Sequence, residues 1–169
     1  MKRMLAVLLC LSLCLCACPA LAGTYNGPTF SVRYDDVRFG LDQYSYLNSG
    51  AGKWFFVLYD GTYSVDCGME YGDRGMGMTL RDAGEDALWA YADRVCQATG
   101  GSLMEIYTQG QQPFVIVSVQ RPDVGGVYYA ETIVGGAAVY LEIYNLSSGT
   151  VNSAAMSALK GILNGFSAR

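Results

Sequence analysis

An α+β fold, with a mostly antiparallel sheet of about six to seven strands packed by an internal helix and a C-terminal helix, is what this sequence predicts. Three observations lead there. Segments with alternating or continuous apolar patterning recur along the chain, several of them separated by Gly-Gly or Asp-Gly pairs too short for a crossover. Two other segments, one in mid-chain and one at the end, carry apolar residues at helical spacing. After residue 28 there is no repeat, low-complexity tract or Pro-rich linker, so these elements are read as one domain over residues 23–169.

Residues 29–34 set Phe30, Val32 and Tyr34 against Ser31 and Arg33, the period of a half-buried strand. Residues 35–53 lose that period and gather Asp, Asn, Ser and Gly, which predicts a long loop with a short helical turn near residues 41–44. Residues 54–59 are continuously apolar, as in a strand covered on both faces. Asp60-Gly61 then signals a hairpin with positive φ at both central residues. In residues 62–71, Tyr63, Val65, Cys67, Met69 and Tyr71 take one face and Ser64, Asp66, Gly68 and Glu70 the other.

Residues 72–78 form a glycine-rich loop before a helix. Thr79 or Asp82 is expected to cap that helix, with Glu85 completing a capping box and Ala87, Leu88, Tyr91, Ala92 and Val95 as the buried stripe. Gly100-Gly101 ends it. Four strands follow, at residues 102–107, 114–120, 127–134 and 137–145, with turns at Gly125-Gly126 and Gly135-Gly136. Asn152 or Ser153 caps a final helix whose Met156, Leu159, Leu163 and Phe166 recur at helical spacing.

The first 22 residues read as an export signal. Lys2 and Arg3 precede an apolar stretch over residues 4–15, and Ala20-Leu21-Ala22 forms an A-x-A site for cleavage between Ala22 and Gly23. A second reading competes: Leu15-Cys16-Ala17-Cys18 approximates a lipobox, which would anchor the chain to the outer face of a membrane through a lipid on Cys18. Either way the mature protein is expected to be secreted or extracytoplasmic, with no transmembrane helix once the signal is removed. Without Lys2 and Arg3, nine Lys and Arg face fifteen Asp and Glu. That net charge of −6, with no basic run, disfavours nucleic acid and anionic membrane surfaces as partners. Cys67 and Cys96 stay with the mature chain, and an oxidising compartment makes a disulfide the natural proposal against the alternative of two free thiols. The bridge would close a loop of about 30 residues and contribute roughly 3–4 kcal/mol.

The order of elements carries a resemblance. An opening strand with Phe30 and Tyr34, a Trp54-Phe55-Phe56 strand, a mid-chain helix, a Pro113-Phe114 start to a run of strands, and a closing Ile162-Leu163-Asn164-Gly165-Phe166 together resemble the PsbP-like fold group. That group includes photosystem accessory proteins and exported bacterial proteins without known function. The resemblance implies an antiparallel sheet packed between helices. No functional motif of the group matches here residue by residue, so it implies no site.

The chain has no histidine, which removes Ser-His-Asp and Cys-His catalysis and the imidazole metal sites. Ser157-Ala158-Leu159-Lys160 matches the S-x-x-K pattern of penicillin-binding enzymes and Tyr46-Leu47-Asn48 faintly resembles their second motif, but the K-T-G motif is absent. Met69, Met76 and Met78 are candidate thioether ligands for Cu(I), and Glu70, Asp73, Asp82, Glu85 and Asp86 candidate oxygen ligands without the spacing of a calcium loop. Tyr140, Glu142 and Tyr144 share one strand face and could stack on a sugar. The expectation is a non-enzymatic binding or accessory domain of unknown ligand and no cofactor, with a cell-envelope protein or a glycan as the candidate partners. A carbohydrate-binding domain using exposed Tyr is the first alternative, and a serine hydrolase using Ser157 and Lys160 the second.

Overall fold

A computed structural model describes residues 23–43, 48–49, 52–108 and 110–169. The expected signal with Cys18 and Ala22 lies outside them, as do Tyr44, Tyr46 and Leu47. In chain order the elements are β1 (Gly23–Asn26), β2 (Phe30–Tyr34), β3 (Gly40–Gln43), β4 (Asn48–Ser49), β5 (Gly52–Tyr59), β6 (Tyr63–Glu70), α1 (Glu85–Thr99), β7 (Ser102–Tyr107), β8 (Phe114–Arg121), β9 (Gly125–Val134), β10 (Ala137–Asn145), α2 (Ser153–Asn164) and β11 (Phe166–Ala168). Seven strands form the main sheet in the order β3-β5-β6-β10-β9-β8-β7, with β4 beside β5, and β1-β2-β11 form a small second sheet. Every pairing is antiparallel. The fold is α+β, as the patterning predicts.

Two cores lie on opposite faces of the main sheet. On one face Phe56, Leu58, Val65, Cys67, Leu141 and Ile143 pack against Leu159, Ile162 and Leu163 of α2 and against Phe30, Val32 and Phe166 of the small sheet. On the other face Tyr91, Ala92 and Val95 of α1 pack on Val115, Val117 and Val119 of β8. α1 lies over β7 and β8. Among the described residues no helix covers the β10-β6-β5 half of this second face, and that uncovered half is where the cavity described below lies.

Gly135 and Gly136 join β9 to β10 with φ of 59° and 75°, the doubly positive turn that matches strand twist. At the β5–β6 hairpin only Gly61 takes positive φ, 80°, and Asp60 instead turns its Oδ1 to accept from the N–H groups of Thr62 and Tyr63. The expected doubly positive turn at Asp60-Gly61 is thus corrected to one whose special conformation rests on Gly61 alone. Asn152 caps α2 as expected, its Oδ1 accepting from Ala154 and Ala155 N–H at 3.0 and 3.1 Å.

Further expectations are overturned. Gly125 and Gly126 open β9, and the turn before them is at residues 122–124. Residues 40–43 are a strand rather than a helical turn: β3 pairs with the edge of β5, and backbone ladder bonds rather than side-chain pattern hold it there. The apolar run at 54–59 is not covered on both faces. A bulge between Trp54 and Phe56 shifts the register, so Phe55 and Phe56 both enter the first core while Trp54 turns to the other face. α1 starts at Glu85 behind Gly84 with no side-chain cap, because Thr79 bonds Asp82 across a separate 3-10 turn, Leu80–Asp82. Phe166 is not on the last helix but opens β11, where its ring stacks on Phe30 at 5.1 Å.

Cys67 and Cys96 are free thiols. Cys67 belongs to the core beside α2 and Cys96 packs against the core beneath α1, so the sheet itself stands between them. The expected bridge is not formed, because α1 crosses the face of the sheet opposite to that of Cys67.

Candidate functional site

The alternation along β10 points Tyr140, Glu142 and Tyr144 to the uncovered half-face. Beside them β6 contributes Asp66 and Glu70, and the bulge in β5 contributes Trp54. Ala98 and Thr99 at the end of α1, Asp123 and Val124 in the β8–β9 turn, and Arg74 in the glycine-rich loop wall the rest. Together they enclose a cavity of about 470 Å³. That volume suits a small-molecule ligand or a few protruding side chains of a larger one.

Glu142 sits directly opposite Asp66 on β6 and opposite Tyr129 on β9. Asp66 accepts from Ser64 Oγ at 2.8 Å and from Tyr144 Oη at 3.4 Å, and Glu142 accepts from Arg121 Nη2 at 3.2 Å. Burial raises both carboxyls above their ordinary range, and Asp66 and Asp123 push Glu142 further in the same direction while Arg121 opposes. Like charges placed across a ladder are unfavourable, so the sheet carries this pair at a cost.

Behind the cavity lies a buried network. Glu131 of β9 is 0 % exposed and receives four bonds: Arg74 Nε at 2.5 Å, Arg74 Nη2 at 2.8 Å, Tyr91 Oη at 2.6 Å and Tyr129 Oη at 2.5 Å. Arg74 Nη2 also reaches Glu70 Oε2 at 2.7 Å. The bond to Glu131 holds the guanidinium firmly charged, while burial and then the Glu131 charge push the Tyr91 and Tyr129 phenols far up, so both remain donors. Bidentate Arg and two hydroxyls satisfy a carboxylate that would otherwise be very costly to bury. The network fastens the glycine-rich loop to the sheet, where Gly72 C=O also accepts from Ala138 N–H.

Tyr140 is only 9 % exposed. Its ring stacks on Tyr129 at 5.1 Å and meets Trp54 edge-on at 5.7 Å, so it floors the cavity rather than offering a free platform. Gly68, its cross-strand neighbour, leaves the space the ring occupies. Sequence reasoning singled out Tyr140, Glu142 and Tyr144 but not Asp66, Trp54, Arg74 or Glu131. Glu131 had one readable signal, a lone acid in an apolar strand. Its partner 57 residues earlier had none.

The other candidates do not assemble. Met69 packs toward the core beside α2, Met76 toward the opposite core with Arg94 Nη2 3.5 Å from its Sδ, and Met78 is 48 % exposed. Among the described residues no group of three or more Asp, Glu or Cys is placed to hold a metal ion. Asp73 is engaged in its own loop, accepting from Gly75 and Gly77 N–H. Ser157 donates back to Ser153 C=O at 2.9 Å, and Lys160 is held by Glu105 at 2.6 Å. Neither makes the Ser–Lys bond that activation of a nucleophile requires.

No family model matches the chain, and no curated protein is significantly similar to it. Solved structures that resemble it include the two described next. One is the solution structure of cyanobacterial PsbP (CyanoP) from Synechocystis sp. PCC 6803, with a TM-score of 0.48 and 12 % identity over 92 % of this chain and 99 % of that one. The other is the crystal structure of a protein from Bacteroides thetaiotaomicron, with a TM-score of 0.44 and 11 % identity over 86 % of this chain and 48 % of that one. The first bears the name of the group that the element order resembles. Likeness at this level carries no residue role to this chain. Among the described residues no helix is long and apolar enough to cross a membrane.

Proposed function

We propose that this chain is an extracytoplasmic, non-enzymatic binding domain whose ligand occupies the cavity on the uncovered half of the sheet. One observation supports the reading above others. Among the described residues half of a sheet face is left without a helix, and the residues on it are aromatic and charged rather than the small polar mixture of a solvated face. The Glu131 network holds the Arg74 wall in place, so the cavity is pre-formed and binding needs little reordering. A glycan is the second reading, favoured by Trp54 and Tyr144 in the same cavity but weakened by the covered ring of Tyr140.

A thermal-shift and calorimetric screen of small cations, neutral oligosaccharides and short peptides tests this. A ligand at about 100 times its Kd adds roughly 2.7 kcal/mol and raises the melting point by several degrees. Ala98→Trp, on the exposed rim of α1, should abolish that shift while leaving the unliganded melting point within about 2 °C. Binding that survives Ala98→Trp would place the ligand elsewhere and overturn the proposal.

A further inference from the structure

The ligand class can be read from the charges of the same cavity, an inference that rests on that cavity being the binding site. Four carboxylates line it, Asp66, Glu70, Asp123 and Glu142, against two guanidinium groups. Both arginines are already committed: Arg74 to Glu131 and Glu70, Arg121 to Glu142. Asp66 is half-buried yet meets only hydroxyl donors, and no Lys or Arg pairs with it among the described residues. It faces Glu142 across the ladder. An anion entering here would add to an existing repulsion, and a neutral sugar would leave it unrelieved. Trp54 and Tyr144 line the same cavity, and aromatic rings carry the negative faces and apolar surface that suit a cation with a hydrocarbon stem.

We propose that the cavity binds an organic cation, its ammonium or guanidinium group seated between Asp66 and Glu142 and its apolar part against Trp54 and Tyr144. The donor count fits. Asp66 and Glu142 each keep acceptor capacity after the bonds above, and an ammonium with three N–H groups bridges two neighbouring carboxylates. Burial raises both carboxyls in the unliganded protein, and of the two only Glu142 is paired with a cation, Arg121. The shared chemistry is that of a free amine or of a Lys or Arg side chain on a partner protein, and the test separates the two.

The experiment is isothermal titration of the purified protein with spermidine, with arginine methyl ester, and with N-acetyl-lysine methylamide as the side chain of a partner. Cellobiose serves as the neutral probe. At least one cation should bind, and Asp66→Asn and Glu142→Gln should each raise its Kd about tenfold, the loss of about 1.4 kcal/mol. Asp42→Asn, on exposed β3 outside the cavity, should leave Kd unchanged. Preference for the capped lysine over spermidine assigns the source to a protein partner, and the reverse assigns it to a free amine. Circular dichroism and melting confirm that each variant folds. Cation binding indifferent to both substitutions, or no cation binding at all, overturns the inference. Cellobiose binding that Ala98→Trp blocks would overturn the cation alone and keep the cavity as the site. If neither cations nor cellobiose bind and no peptide or other ligand of the wider screen is blocked by Ala98→Trp, both readings fall together.

Discussion

Glu131 and Arg74 show how a single residue pair ties a loop to a sheet. The carboxylate is fully buried, so its stability depends on all four of its donors being present. Arg74→Ala leaves a buried charge with two phenols, and Glu131→Ala leaves two buried hydroxyls and a half-buried guanidinium without their acceptor. Each is expected to cost about 3–5 kcal/mol in urea unfolding, whereas a joint Arg74→Met, Glu131→Leu replacement should cost less than either. Single costs below about 1 kcal/mol would show that water satisfies the site after truncation. The sequence displayed half of this pair. A lone acid among Val127, Tyr129 and Ile133 marks a buried charge, but nothing local connects it to an arginine on a glycine-rich loop, because that connection is made by the β6–β10–β9 order of the sheet. Asp66 escaped for a different reason: on an alternating strand an acid on the polar face looks like ordinary solvated surface, and what makes it a cavity residue is that no helix among the described residues covers that half of the face.

At the scale of elements, legibility followed side-chain periodicity. β6, β10 and α2 alternate or repeat clearly and stand close to where the pattern puts them. β3 and β11 are held by backbone pairing to an existing edge, a signal that no side-chain pattern carries. The bulge in β5 hid in the same way, since six consecutive apolar residues look alike whether the register shifts or not. The β6–β10 ladder offers a test of how tightly such pairing shapes the cavity. A Cβ at Gly68 would stand 2.5 Å from Tyr140 Oη and 2.6 Å from its Cζ. The ring cannot swing away freely, because Tyr129 stacks on it and Trp54 abuts it. Gly68→Ala is therefore expected to destabilise by about 1–3 kcal/mol and to shift Trp54 fluorescence as the cavity floor rearranges. A neutral substitution with unchanged emission would show that Tyr140 has another place to go.

Across the whole molecule the cavity sets stability against charge state. Asp60, at the β5–β6 hairpin, is desolvated, but the Tyr63 N–H, Arg38 and the Thr62 N–H outweigh that and lower its pKa. Its contribution is present above the unfolded value of about 4 and is lost as pH falls through the folded one. Asp66 and Glu142 run the other way. Their raised carboxyls contribute stability below the unfolded value, and that contribution is lost as pH rises through the folded ones. The charges facing Asp66 include Glu142, Glu70 and Asp123 on one side of the balance and Arg121 and Arg74 on the other, and both arginines are occupied. Asp66→Asn removes one member of a cross-strand pair of like charge worth about 0.2–1 kcal/mol. At neutral pH it should therefore raise the melting point by up to about 4 °C, and the gain should vanish once the pH falls below the unfolded carboxyl value. Melting curves of wild type and variant across pH 3–8 measure this directly. A variant less stable than wild type at neutral pH would make Asp66 a structural hydrogen-bond acceptor for Ser64 and Tyr144. A variant more stable there, yet weaker in cation binding, is what a domain that keeps a strained carboxylate pair for its ligand must give.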